Sequence, residues 1–367
     1  MTSAQGPPGS PFHILAVATQ GSGSDDEARL KTLLGRLSVE LFPFDRGSKR
    51  QSAQALLAKI RHEKPDLVVM EGTGIGGGLA ILLGRILAGV PYVFSSGDAI
   101  EPFVRALKPW AAPLFGLYER RLCKHAAGFI GWTPYLTGRA LTYGTTRGMT
   151  APGWAPFTAQ PEARQSIREQ LGIPANALVF GIVGSLAWNK RLGYGYGLEL
   201  IEALKCVKRS DVWTVIVGDG SGRSELEARA TSRCVFTGRV AREEVPAYLS
   251  SFDVASLPQS LDGVGMFRYT TKISEYLAAG LPIVTGHLPL AYDLDDGWIW
   301  RIRGENPWSP VYHQALADLI DGLTSEDLVQ HRTAVPRNLD LFDKDRQVER
   351  VTSFLLDILN EHKAHTV

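Results

Sequence analysis

The chain predicts an α/β protein built as two doubly wound domains, each around a parallel sheet. Three observations carry that expectation. Strand-like and helix-like stretches alternate through both halves of the sequence. Strands such as Leu67-Val-Val-Met70 are apolar on every residue, as a parallel sheet covered by helices on both faces requires. Finally, 38 glycines in 367 residues supply tight strand-to-helix turns, and 44% hydrophobic residues suffice for two full cores.

In the first half, strands are predicted at residues 12–19, 39–44, 66–71, 91–96, 128–132 and 149–151. Helical patterns fall between them, near 27–37, 52–63, 77–87, 113–124 and 135–143. The stretch 153–161, with Pro152, Pro156 and Pro161 in and beside it, reads as a linker. The second half repeats the plan, with strands at 179–184, 213–218, 234–237, 254–257, 282–285 and 298–302. Helices fit 161–171, 196–207, 224–231, 243–252, 271–279 and 311–323, and a last helix, 346–361, follows the acidic turn 340–345. The expected division is therefore 1–158, 159–344 and a terminal helix within 345–367. Ligands of such sheets bind at the carboxyl ends of the strands, which places the expected site in a cleft between facing domains.

Net charge is +1 but unevenly spread: residues 11–160 hold 17 Lys/Arg against 11 Asp/Glu, and residues 161–367 hold 22 against 27. A basic first half favours an anionic partner, either a membrane surface or a phosphate-bearing substrate. No arginine-rich run with interleaved aromatics is present, which argues against nucleic acid. Cys123, Cys206 and Cys234 are widely separated, lack metal-ligand spacing and read as reduced thiols. Residues 1–11 have no signal-peptide core. The longest apolar tract, 76–94, carries Arg85 at its middle and reads as a buried helix and strand rather than a span. A cytoplasmic protein is expected, with peripheral contact at the inner face of the membrane as an option.

Chemistry concentrates in the second half. Lys272-Ile-Ser-Glu275-Tyr276 begins a helix that closes at Gly280 before a buried strand. Thr270 and Thr271 are expected to cap its start, where backbone N–H groups form an anion site. Glu275, one turn in, can accept hydrogen bonds from a sugar diol; alone, the segment is equally a capped surface helix. Gly184-Ser185-Leu-Ala-Trp-Asn-Lys190 leaves the first strand of this half, and Lys190 can neutralise a diphosphate or simply be solvated. Val217-Gly218-Asp219-Gly-Ser-Gly-Arg223 ends a strand in three glycines, allowing close backbone approach or only a sharp turn. Phe236-Thr-Gly-Arg239-Val240 ends another and can border a planar base.

In this order and spacing the four pieces resemble the donor domain of family-4 glycosyltransferases of the GT-B fold. There a G-x-L…K loop, a V-G-D-G-x-x-R turn, an F-x-G-x-V strand end and a K-x-x-E-Y-x-A-x-G-x-P helix surround a nucleotide-sugar. The resemblance covers about residues 175–285. It implies two Rossmann-like domains, the first binding acceptor and the second donor, with the last helix packing back on the first. It implies that Gly184, Ser185, Lys190, Gly218 and Asp219 line the diphosphate and that Arg239 and Val240 border the base. Thr270, Thr271 and Lys272 would serve the phosphate, and Glu275 the ribose. Retention of configuration, no required metal and no cofactor follow from the same resemblance. The chain departs from the family pattern at three places. Ser185 stands where an arginine is usual, Phe267 where a glutamate commonly binds the sugar, and Ser95-Ser96-Gly97-Asp98 where a histidine closes a strand. These bear on which sugar is held and on activity itself more than on nucleotide binding.

In the first half, the loop containing Gly21 and Ser22 follows the first strand and is expected over the donor phosphates. Asp98 and Glu101 follow another strand and can orient an acceptor hydroxyl, although Asp98 also suits a helix cap. Gly72-Thr73-Gly74-Ile-Gly-Gly77, with Asp98 21 residues beyond Gly77, spells a dinucleotide fingerprint. A nicotinamide-dependent oxidoreductase is therefore the main alternative, a sugar-nucleotide epimerase or a non-catalytic binding module the others. The preferred role for these glycines is helix–sheet packing beside the acceptor, with Gly72 and Thr73 touching it. The pairs Asp293/Asp295 and Asp343/Asp345 read as loops rather than metal ligands. Arg120, Arg121 and Lys124 follow the aromatic stretch Trp110 to Tyr118, a combination suited to lipid headgroups or to a solvated helix face. The expected partners are a nucleoside-diphosphate sugar and a sugar, lipid-linked or small-molecule acceptor.

Overall fold

The computed structural model describes residues 12–337 and 339–364, so the reading of residues 1–11 falls outside it. The chain forms two compact units, one running to Gly153 and resuming at Asp340, the other spanning Trp154–Leu339.

The first unit holds β1 (Ile14–Ala18), β2 (Val39–Phe42), β3 (Leu67–Glu71), β4 (Tyr92–Ser96), β5 (Gly128–Gly131) and β6 (Gly148–Thr150). They form one parallel sheet in the order β2-β1-β3-β4-β5-β6. The second unit holds β7 (Leu178–Val183), β8 (Val212–Val217), β9 (Cys234–Gly238), β10 (Val254–Ser256), β11 (Ile283–Thr285) and β12 (Ile299–Arg301). Their order is β12-β11-β10-β7-β8-β9, again all parallel. The central strands are buried along their whole length, which is why their sequences show no polar alternation. Each sheet reverses its direction of growth once, between β1 and β3 and between β7 and β10. At such a point the loops leaving the two strands diverge, and a crevice opens at their carboxyl ends. Two places in the molecule are thereby singled out before any side chain is considered.

The helix Lys344–Ala364 belongs to the first unit. Gly128 of β5 leaves the room that Phe354 and Ile358 fill. Fully buried Gln347 exchanges two hydrogen bonds with the Gly153 backbone, at 3.0 and 2.7 Å, and Arg147 pairs with Glu361.

Some expectations about helices change. Helices at Ile100–Leu107 and Ser325–Ala334 were not resolved as elements by hydrophobic period. The second starts with a capping box between Thr324 and Asp327, a signal present in the sequence. The helix Ile75–Ala88 is not buried all round as expected: Leu79, Leu83, Ile86 and Leu87 are exposed.

Candidate functional site

In the second unit the strand ends come together through glycine. Gly184 (φ +153°) donates to the Val217 carbonyl at 2.9 Å, and Gly218 (φ +139°) donates to Gly238 at 3.0 Å. A Cβ on Gly218 would overlap the Gly184 carbonyl, so the two loops approach only without side chains. The Asp219 carbonyl accepts from Leu186, which ties the Gly218 turn to the Gly184 loop, and the Asp219 side chain itself is exposed near Arg223. Arg223 reaches the end of β9, 2.8 Å from where a Cβ on Gly238 would stand. Arg239 and Val240 follow there, exposed and half-buried respectively.

The helix Thr271–Ala278 sits at the β7/β10 switch. Fully buried Tyr276 fixes it, its hydroxyl accepting from Val183 at 3.4 Å and donating to the Ser256 carbonyl at 3.2 Å. Lys272 lies over Gly184, its Nζ 2.9 Å from a Cβ built there, and 4.3 Å from the Tyr196 ring centroid. The Glu275 carboxylate is half-buried and receives no hydrogen bond from any described residue. Burial pushes its carboxyl above the ordinary range, opposed by Lys272 and Arg242.

The expected cap is corrected. Thr270 occupies the N-cap position, but its side chain makes no capping bond, and Thr271 is the exposed first residue of the helix. Thr270 has φ +57°, a conformation that β-branched residues avoid, and its buried Oγ1 has no partner. The helix start therefore presents unsatisfied N–H groups and a hydroxyl rather than a closed cap. Ser185 and Lys190 lie on the long loop after β7; both are exposed, and Lys190 forms no ion pair with a described residue.

Sequence reasoning missed Glu199. It is fully buried and accepts from the Tyr194 hydroxyl, the Gly197 amide and the Ser256 hydroxyl at 2.9–3.0 Å. Burial pushes its carboxyl up. It braces the end of β10 against the helix Leu198–Cys206, supporting the switch point from behind.

In the first unit the same topological position is filled from within. Gly21 (φ +99°) and exposed Ser22 lie in an ordered turn: Ser22 donates to the Phe44 carbonyl, and Ser24 caps the helix Asp25–Leu33. The fingerprint Gly72…Gly77 receives Thr19. Cβ atoms on Gly72, Gly74 and Gly77 would lie 2.5–2.7 Å from that side chain, and Gly74 donates to Thr19 Oγ1 at 3.2 Å. These glycines thus serve the close packing of Thr19. Thr73 is half-buried beside it.

Glu71, which closes β3, is 1% exposed. It accepts from Ser95 at 2.9 Å, Trp132 at 3.1 Å and Arg29 at 3.3 Å. Neighbouring Asp26 is pushed up to about 6, by burial first and by the Glu71 charge second. Neither acid was singled out from sequence. The available signal for Glu71 was a carboxylate ending a wholly apolar strand.

Asp98 is half-buried after β4, its backbone held by the Ser96 hydroxyl. It does not cap the helix Ile100–Leu107, whose N-cap is Ala99. Glu119, from another helix, accepts from the Ile100 and Glu101 amides at 3.3 and 3.1 Å. Glu101 is held by Arg105 and lies 3.8 Å from Arg139.

Asp295 caps three backbone amides and pairs with Arg301, while Asp343 caps the last helix; both are structural loops. Among the described residues one group has metal-ligand spacing: His13, Glu40 and Glu63. It is exposed at the amino edge of the first sheet, and the Lys59 ammonium already bonds both carboxylates.

Comparison with known proteins bears on the family and the fold. Residues 7–151 match the model of the glycosyl transferase 4-like domain, and residues 177–317 match that of glycosyl transferases group 1. A 2-deoxystreptamine glucosyltransferase of Streptomyces kanamyceticus is 26% identical over 56% of this chain and 55% of its own length. A GDP-mannose-dependent alpha-mannosyltransferase of Mycobacterium tuberculosis is 27% identical over 62% of this chain and 57% of its own length. The chain thus spans little more than half the length of these curated relatives. Anabaena HepE, crystallised with UDP-glucose, shares the fold with a TM-score of 0.68 at 16% identity, over 94% of this chain and 100% of that one.

Proposed function

We propose, from the premise that this chain belongs to the family-4-like glycosyltransferases of the GT-B fold, that it moves a sugar from a nucleoside-diphosphate donor to an acceptor hydroxyl. One observation carries the reading. At the β7/β10 switch a half-buried carboxylate without a partner, Glu275, stands one turn from an open helix start that holds Lys272 and the orphan hydroxyl of Thr270. A pyrophosphate and a pentose diol satisfy both needs at once.

In this reading Glu275 accepts from the ribose hydroxyls, and the backbone around Arg239 and Val240 borders the base. Lys272, Thr270, Thr271 and the Gly184 loop, with Ser185, hold the diphosphate. Lys190 comes to the leaving phosphate and stabilises its charge as the bond between the anomeric carbon and phosphate oxygen breaks. The acceptor oxygen bonds to that carbon on the same face, and its proton passes to the departing phosphate oxygen, so configuration is retained. Lysine charge and a helix start do the work otherwise given to a divalent ion, so turnover is expected to survive EDTA. Acceptor orientation falls to the first unit, with Asp98 after β4 and Asp26 in the first turn of the helix Asp25–Leu33 as the acids, and Gly21, Gly72 and Thr73 as the acceptor's other contacts. Glu101, tied to Arg105, would act through its charge only.

Thermal melting against UDP-, GDP- and dTDP-sugars tests the donor half, because only a ligand of the native state raises the melting temperature by linkage. UDP-glucose is the first to try. If no nucleotide-sugar shifts the transition, or if NAD does, the reading falls.

A further inference from the structure

The outward face of the first unit carries chemistry that sugar transfer does not use. The helices Ile75–Ala88, Ile100–Leu107 and Ala112–His125 pack together, with Tyr118 of the third lodged against Gly78 of the first. Their outward residues are large and apolar. On the first helix Leu79, Leu83 and Ile86 recur at helical spacing, and Ile86 is 58% exposed. On the turn and helix beyond, Leu107, Leu114 and Leu117 are 61, 68 and 52% exposed, and Trp110, held out by Pro109, is 81% exposed. A folded chain rarely leaves so many large apolar side chains together in water without a partner.

The uncompensated charges around this face have one sign. Lys108, Arg120, Arg121 and Lys124 are exposed, Arg105 is tied to Glu101, and every acid between residues 75 and 125 is withdrawn. Asp98 and Glu101 are half-buried, and Glu119 is buried in its pair with Arg139. On the third helix Leu114, Leu117, Arg121 and Lys124 follow one another at three- and four-residue steps. One stripe thus passes from apolar to basic, with long side chains able to reach from an apolar boundary to phosphate.

We infer that this face docks on an anionic phospholipid bilayer, Trp110 and Leu114 entering the headgroup–acyl boundary while Arg121 and Lys124 meet lipid phosphates. A second copy of the chain is a poor occupant, because a two-fold contact would set the same bases against each other. Among the described residues no helix is long and apolar enough to cross a membrane. The inference is independent of the transferase reading and fails separately from it.

Flotation of the full chain with vesicles decides the matter. Binding is expected to vesicles containing phosphatidylglycerol and not to pure phosphatidylcholine, and to weaken steeply as salt is raised. Leu114→Glu and Arg121→Glu, each melting like the parent, should each lower the bound fraction about tenfold. Trp110→Phe should keep binding but lose most of the quenching of tryptophan emission by brominated acyl chains. No flotation, equal flotation with neutral lipid, or binding that survives Leu114→Glu overturns the proposal. So does a concentration-dependent dimer that Leu114→Glu abolishes, which would assign the face to a second copy.

Discussion

The two switch points of this molecule share a topology and differ in what their polar groups have left to do. Between β1 and β3, Glu71 is met by three donors, Thr19 fills the glycine notch, and Glu119 caps the nearby helix. Between β7 and β10, the Glu275 carboxylate and the buried Thr270 hydroxyl have no hydrogen-bond partner among the described residues, and exposed Lys190 forms no ion pair with one. A buried polar group is normally paired, so a cluster left unpaired marks where a ligand completes the structure. Charge and glycine content alone would not separate the two places. The pairing does.

Variants can break or sharpen that contrast. The largest effect is expected from Lys190→Ala, which should lower turnover by roughly 100- to 1000-fold with an unchanged melting temperature. Unchanged turnover would remove Lys190 from the reaction. Next, Glu71→Gln should destabilise the first unit by about 3 kcal/mol, because the buried Arg29 charge loses its partner; urea unfolding measures it. Glu275→Gln should behave in the opposite sense. The free protein becomes more stable when a carboxylate raised by burial loses its charge, while nucleotide-sugar affinity falls about tenfold. Calorimetry beside thermal melting reads both, and a variant that is weaker on both counts contradicts the assignment.

The smallest effect concerns Asp26, whose carboxyl is raised from 3.8 to about 6. The folded state holds this proton more tightly than the unfolded chain does. The resulting stabilisation is complete below about pH 4 and is lost as pH rises through about 6. Asp26→Asn should therefore match the parent in acid and exceed it by on the order of 1 kcal/mol at pH 8, after allowance for partial exposure. Melting curves across that range show whether the gap opens in the expected direction.

The fold was legible because a parallel sheet leaves a strong imprint: six all-apolar or nearly apolar strands per unit, separated by helical periods and glycine turns. Elements governed by local capping were harder. Ile100–Leu107 begins with amides satisfied by Glu119 from another helix, while Asp98, the cap its own sequence suggests, takes no part. In the second unit, the placement of Glu275, Lys272 and the paired glycines at the strand ends was legible from spacing. The state of Thr270 was not, since a threonine before a helix ordinarily announces a cap, whereas here it sits at positive φ with an idle hydroxyl. Glu199 and Glu71 were invisible for a related reason: a buried acid is recognised by its donors, which come from distant strands and helices.

The return of the last helix to the first unit has a consequence for biosynthesis. β5 and the Gly128 notch stay uncovered while the whole of Trp154–Leu339 is being translated, because Phe354 and Ile358 emerge from the ribosome last. A chain halted at Leu339 should hold a folded second unit beside an unfinished first one, and bind more of a dye for apolar surface than the 367-residue chain does. Order of synthesis thus gives the second unit a head start.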